Sequence, residues 1–197
     1  MRNADCRIVR IPLFVCMHMQ SAPSKTPTRM QRIFAYRRLH ICAIVVFVLD
    51  QVTKAWIHNS ERLPFNSYGP GEHIEVIPGF FNIVHVGNTG AAWSILSGHS
   101  EWLAVFAVVV LLSIFFLRKT LELHVRAIQI AFGLLCGGIA GNLVDRVMHK
   151  HVIDFLDFHF AGYAWPAFNI ADVGIVTGVV LYIGSTILAA VRERKGE

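Results

Sequence analysis

Four clusters of ionisable and amide side chains stand at or near the ends of long apolar stretches: Asp50 with Lys54, Asn142 with Asp145 and Arg146, Asp154 with Asp157, and Asn169 with Asp172. An ionisable group at a membrane-length apolar segment costs a few kcal/mol or more, so each is a candidate functional group. Asp50 and Lys54 are four residues apart, share one helix face and can pair across a turn, which reads equally as a local structural ion pair. Asp145 beside Arg146 reads equally as an interfacial ion pair, and Asn169 or Asp172 equally as a helix N-cap. What carboxylates from separate segments can do together is general acid–base chemistry. Other chemistries lack their parts. There is no HExxH, and His149, His151 and His159 have neither a thiolate nor a well-spaced carboxylate set, so no metal and no cofactor is expected. Ser94 or Ser97 with Lys54 or Lys150 has no local context that would activate a serine.

The elements that must position these groups follow from composition. Of 197 residues, 54% are hydrophobic and 16% charged, against about a quarter charged in a soluble domain. The mean hydropathy of +0.52 excludes disorder for most of the chain. Crossing a bilayer takes about 20 predominantly apolar residues, and four segments approach that length, at about 39–57, 102–117, 127–144 and 173–191. The second is short, but Glu101 and Arg118 at its ends can snorkel. Fourteen of the 18 Lys and Arg fall before His40, between 118 and 126, or after 191, whereas loops 58–101 and 145–172 hold only Arg62, Arg146 and Lys150. Basic residues are retained on the cytoplasmic side, so both termini are expected there and both long loops outside. The net charge of +5 thus reflects chain ends rather than a basic face, and no nucleic-acid partner is expected.

Loop 58–101 carries a β-rich stretch, Glu72 to Val86, turning at Pro78-Gly79, which predicts a small hairpin or sheet on the outer surface. The expected fold is therefore a membrane α protein with four transmembrane helices and a small extracytoplasmic β-rich element. Residues 1–29 fit neither a span nor a cleavable signal and read as a disordered added tail, with Met30 opening a conventional lead into a membrane domain over 30–197. The four cysteines form no CxxC or disulfide framework, and Cys42 and Cys136 read as small buried hydrophobes.

The motifs in order are Asp50-Gln51-Val-Thr-Lys54, Phe81-Asn82 followed by Asn88-Thr-Gly-Ala-Ala-Trp93, Gly137-Gly138 followed by Gly141-Asn142-Leu-Val-Asp145-Arg146, Val152-Ile-Asp154-Phe, and Phe168-Asn169-Ile-Ala-Asp172. Together they resemble the lipoprotein signal peptidases, the type II signal peptidases of bacteria, over about residues 40–190. The resemblance implies an aspartic-type hydrolase of the bacterial inner membrane, active at its outer face. It implies removal of signal peptides from prolipoproteins just before a diacylglyceryl-modified cysteine, with that lipid-modified substrate and membrane lipid as partners. Its catalytic aspartates fall on Asp154 and Asp172. Asn88, Gly90, Asn142, Arg146 and Asn169 fall on the supporting or substrate-binding positions, and Asp50, Lys54 and Asp145 read as structural polar residues. Three features depart from the pattern: Trp93 where Phe is commoner, Gly87 before Asn88, and the tail before Met30. A proton-coupled carrier using intramembrane acids as a relay is the alternative reading, and it predicts acids spread through the membrane depth. Two carboxylates in one site cannot both ionise at neutral pH, so one keeps a proton; the sequence leaves open which.

Overall fold

A computed structural model of the chain describes residues 35–66, 71–91, 96–123 and 125–195. The expected tail, the start at Met30, Trp93 and Ser94 lie outside the described residues. Among the described residues, four helices are joined by one small sheet: α1 (Arg37–His58), β1 (Ile74–Ile77), β2 (Phe81–Asn88), α2 (Ser100–Phe116), α3 (Arg126–His149), β3 (Val152–Phe160), β4 (Tyr163–Ala164) and α4 (Ile170–Lys195).

Three of the helices, α1, α3 and α4, are long and apolar enough to cross a membrane by themselves. The 17 residues of α2 cover about 26 Å at ~1.5 Å per residue, close to the ~30 Å hydrocarbon core, and α2 is apolar on every side, as a lipid-facing helix requires. The central helix is α3, which packs on α1 along one side and α4 along another. Small residues permit this. A Cβ on Gly137 would lie 2.5 Å from the Ala43 carbonyl oxygen of α1, and one on Gly138 would run into the Ala171 carbonyl oxygen of α4, a small-xxx-small type of approach.

The ends of α3 and α4 differ from the sequence expectation. The third span was bounded at Val144 by Asp145-Arg146, yet α3 continues to His149, because these charges mark the end of the apolar run while their side chains are satisfied inside the bundle. Likewise α4 starts at Ile170, ahead of the expected 173, and reaches Lys195. Lys150 closes α3 in the left-handed conformation (φ 66°), a C-cap that sends the chain directly into β3.

The expected hairpin is present as β1–β2, turning through Gly79 at φ 68°. It is half of a four-stranded antiparallel sheet in the order β1-β2-β3-β4. Val152 to Phe160, the stretch that carries Asp154 and Asp157, is the third strand of this sheet. An extra residue in β2 between Ile83 and Val86 bulges that strand and leaves β3 regular, so Asp154, Leu156 and Phe158 share one face and Ile153, Phe155 and Asp157 the other. Ile153 and Phe155 bury against Ile57 and Leu63, which fixes the sheet on the C-terminal end of α1.

Candidate active site

The Phe168 backbone runs beside β3: its N–H donates to the Leu156 carbonyl at 3.1 Å, and its carbonyl accepts from Leu156 at 2.8 Å. That bridge sets Asn169 next to Asp154. Asn169 then begins α4, its Oδ1 accepting the Asp172 N–H at 3.0 Å while the Asp172 carboxylate accepts the Asn169 N–H at 3.2 Å. This is a reciprocal capping arrangement of two orphan donors. The N-cap reading holds for Asn169, with Asp172 answering it from the third helical position, and it coexists with a second role. Asp172 also turns Oδ1 to the Asn142 amide at 2.8 Å, and Asn169 turns its amide nitrogen to Asp154 at 2.6 Å.

Each of the three asparagines around the acids has its carbonyl oxygen held by a donor, and so points its nitrogen at a carboxyl. Asn88 Oδ1 accepts the Gly90 N–H at 2.9 Å and its Nδ2 donates to Asp154 Oδ2 at 3.0 Å. Asn169 Oδ1 accepts from the Asp172 backbone, leaving its nitrogen for Asp154. Asn142 Oδ1 accepts from Lys54 Nζ at 2.8 Å, leaving its nitrogen for Asp172. The result is two carboxyls, one on β3 and one on the first turn of α4, bound through a shared asparagine and each contacted on both oxygens. Burial, and next the neighbouring charge of Asp172, push the Asp154 carboxyl up to about 7.

Below the pair lies a charged layer. Lys54 Nζ sits 2.9 Å from Asp50 Oδ2 and 2.8 Å from Asp145 Oδ2, and with Asn142 all three of its hydrogens have acceptors. The expected local pair of Asp50 and Lys54 is therefore one edge of a network joining α1 to α3. Asp50 also accepts the Ala171 N–H of α4 at 2.9 Å, and Gln51 donates to Asp50, Asp145 and the Gly141 carbonyl at 3.2–3.3 Å. The sequence reading of Asp145 as an exposed partner of Arg146 is corrected. Asp145 is 2% exposed and holds Lys54 and the Ile153 N–H. Successive residues on a helix point about 100° apart, so Asp145 and Arg146 face different neighbours. Arg146 instead donates to the Gly90 carbonyl at 3.0 Å and the Asn142 carbonyl at 3.3 Å, tying the 88–90 turn to α3. Its Nε has no partner among the described residues.

Asp157, on the far face of β3, binds the Asn82 amide at 3.2 Å and lies 2.7 Å from His159 Nε2, away from the pair. Gly87 has a direct cause: a Cβ there would lie 2.5 Å from Phe65 Cζ, and Asn66 Oδ1 accepts the Gly87 N–H at 2.7 Å. Phe65 thus fills the space that a residue 87 side chain would need. Sequence reasoning missed Gln51 as a bridge, Asn66 as a brace on β2, and the reach of Lys54 to α3, for which the sequence around Lys54 offers no acid beyond Asp50. Among the described residues no three His, Cys, Asp or Glu side chains are grouped to hold a metal ion.

Both acids open on a cavity of about 1300 Å³ that runs from the sheet down between α2, α3 and α4, with Asn88, Arg146 and Phe158 at its polar and aromatic end and Phe106, Ile139 and Val176 deeper in. A long apolar trough ending at a carboxyl pair suits an amphipathic chain whose reactive bond lies at the membrane edge.

Residues 42–188 match the family model for signal peptidase (SPase) II. The lipoprotein signal peptidase of Symbiobacterium thermophilum is 40% identical over 157 residues, covering 79% of this chain and 96% of that protein. That of Desulforapulum autotrophicum is 36% identical over 152 residues, 74% of this chain and 89% of its own. A bacterial membrane enzyme solved in meso at 2.3 Å superposes with a TM-score of 0.68 at 34% identity, over 77% of this chain and 88% of that one. With sequence motifs, helix arrangement and family match covering the same residues, the chain belongs to the signal peptidase II family of membrane peptidases.

Proposed function

We propose that this chain is an aspartyl endopeptidase that removes the signal peptide of diacylglyceryl-modified prolipoproteins, cleaving before the lipidated cysteine, with Asp154 and Asp172 as its catalytic pair. The observation that carries this reading is the joining of the two carboxyls through Asn169 at the mouth of the apolar cavity. One carboxylate takes a proton from water as the water oxygen bonds to the scissile carbonyl carbon, and the protonated partner gives its proton to the carbonyl oxygen. In the second step the first acid protonates the amine nitrogen. The diol returns a proton to the other acid as the C–N bond breaks, so both groups recover their starting states. The free Nε–H of Arg146 and the asparagine cradle supply donors for substrate backbone that is otherwise unsatisfied at the membrane edge. The acyl chains of the substrate fit the apolar depth of the cavity.

Charge placement supports an inner-membrane protein with both termini in the cytoplasm and the pair at the outer face. The carrier alternative finds no support, since Asp50, Asp145, Asp154 and Asp172 all belong to one connected layer at one end of the helices. The test is cleavage of a lipidated prolipoprotein by the purified full chain. Asp154→Asn and Asp172→Asn should each abolish turnover in a folded protein, with the double variant no worse than either single. Cleavage of the unlipidated form at an equal rate would refute the substrate assignment, and a folded, active Asp172→Asn chain would refute the pair.

A further inference from the structure

The two acids differ in their surroundings in a way that names their resting charges. Asp172 is the third residue from the Asn169 cap, where the unpaired N–H groups of a helix start favour an anion. Asp154 lies mid-strand, where the strand backbone supplies no such field. The Asn142 amide adds to this asymmetry, and its orientation is not free. Lys54 Nζ is a donor only, and it stands 2.8 Å from Asn142 Oδ1. Turning the amide over would set its NH2 against an ammonium and its oxygen against the Asp172 oxygen, two repulsive contacts in place of two hydrogen bonds. Lys54 is in turn immobilised by Asp50 and Asp145, with no hydrogen left over.

We propose that Lys54 is a positioning residue that, by locking Asn142 with its nitrogen toward Asp172, makes Asp172 the resting carboxylate and leaves Asp154 as the member holding the shared proton. This rests on the reading of Asp154 and Asp172 as the catalytic pair. It assigns the steps above: Asp172 accepts the proton of the attacking water, and Asp154 protonates the carbonyl oxygen. The charged groups facing the pair are Asp50 and Lys54 from α1 and Asp145 and Arg146 from α3. The residues that β2 and α2 present to the cavity, Asn88, Leu103, Phe106 and Val110 among them, are uncharged.

The experiment measures kcat and KM for the full chain against pH, using a lipidated prolipoprotein. The two isosteric changes Asn142→Asp and Asn88→Asp each replace one amide donor by an acceptor, the first beside Asp172 and the second beside Asp154. Asn142→Asp should move the acid limb of the profile up by about one pH unit or more, and Asn88→Asp should move the alkaline limb and leave the acid limb in place. Lys54→Gln, made in the Asp145→Asn background so that one buried acid is not stranded, should shift the acid limb in the same direction as Asn142→Asp. It should lower kcat about tenfold with KM little changed. A folded Lys54→Gln chain with an unmoved acid limb, or the limbs responding the other way round, overturns the proposal. If that chain does not fold, the two asparagine variants decide the assignment. The pair itself is judged separately by the Asp→Asn variants, so its failure is distinguishable from a failure of this assignment.

Discussion

Asn169 and Asp172 hold each other in both directions, side chain to backbone at 3.0 Å and backbone to side chain at 3.2 Å. The residue pair that starts α4 is thereby also the one that presents a carboxyl to Asn142 and an amide to Asp154. A helix cap worth about 1 kcal/mol in an ordinary protein is here part of the layer that holds the proposed catalytic pair.

Asp157 faces away from the cavity and is held by Asn82 and His159. We expect Asp157→Asn to keep most of the wild-type kcat. Asp145→Ala strips Lys54 of a buried partner and should cost about 3–5 kcal/mol of stability. Thermal melting in detergent together with a cleavage assay separates the two effects. Loss of activity without loss of stability in Asp157→Asn would place that acid in the reaction after all.

Asp154 should destabilise the protein as pH rises. Its folded value of about 7 lies above the ordinary carboxylate value of 3.8 expected in the unfolded chain, so the folded state binds the extra proton between those limits. Stability is greatest below about 4 and is lost progressively up to about 7. Asp154→Asn removes this term. The inactive variant should melt higher than wild type at pH 8, by on the order of 1–3 kcal/mol, with the difference vanishing near pH 4. Equal melting temperatures at pH 8 would contradict the raised value.

A methyl on Gly141 would collide with the Asp50 carboxylate, and one on Gly138 with the Ala171 carbonyl oxygen. Neither neighbour can retreat, since Asp50 is held by Lys54 and the Ala171 N–H, and the second contact is backbone. Gly141→Ala and Gly138→Ala should each cost about 1–3 kcal/mol or more through overpacking. Activity should fall further than stability, because both displace the start of α4. Retention of full activity in both variants would argue against a tight α1–α3–α4 junction.

From the distribution of Lys and Arg, a reporter fused after Glu197 should be active only in the cytoplasm. One active only outside would invert the placement of the sheet and of the carboxyl pair.

The spans were legible because uninterrupted apolar runs are a strong signal, and so was the hairpin, through its Pro78-Gly79 turn and alternating pattern. Asp154 and Asp172 were singled out by resemblance to a family more than by spacing. Eighteen positions separate them, and the Phe168–Leu156 bridge with the Asn169 contacts brings them together. The partner of Lys54 could not be read. A lysine four residues from Asp50 satisfies the helical pairing rule by itself, and nothing local announces that Asp145 and Asn142 lie across the junction. Asp145 was misassigned for the same reason, adjacency in sequence being a poor guide to direction on a helix. The brace of Asn66 and Phe65 on Gly87 was also hidden, because it depends on a turn crossing the sheet rather than on any periodic pattern.

The Asp50–Lys54 bridge is within one helix, whereas Asp145, Asn142 and Ala171 arrive roughly ninety to 120 residues later. During synthesis the first helix therefore enters the bilayer carrying two opposite charges already matched to each other, and its remaining valences stay vacant until the third and fourth helices follow. The proposed catalytic pair is the last thing to be assembled, since β3 and α4 follow the first three helices in the chain. A half-translated chain thus carries the Asp50–Lys54 pair without either member of the proposed catalytic pair.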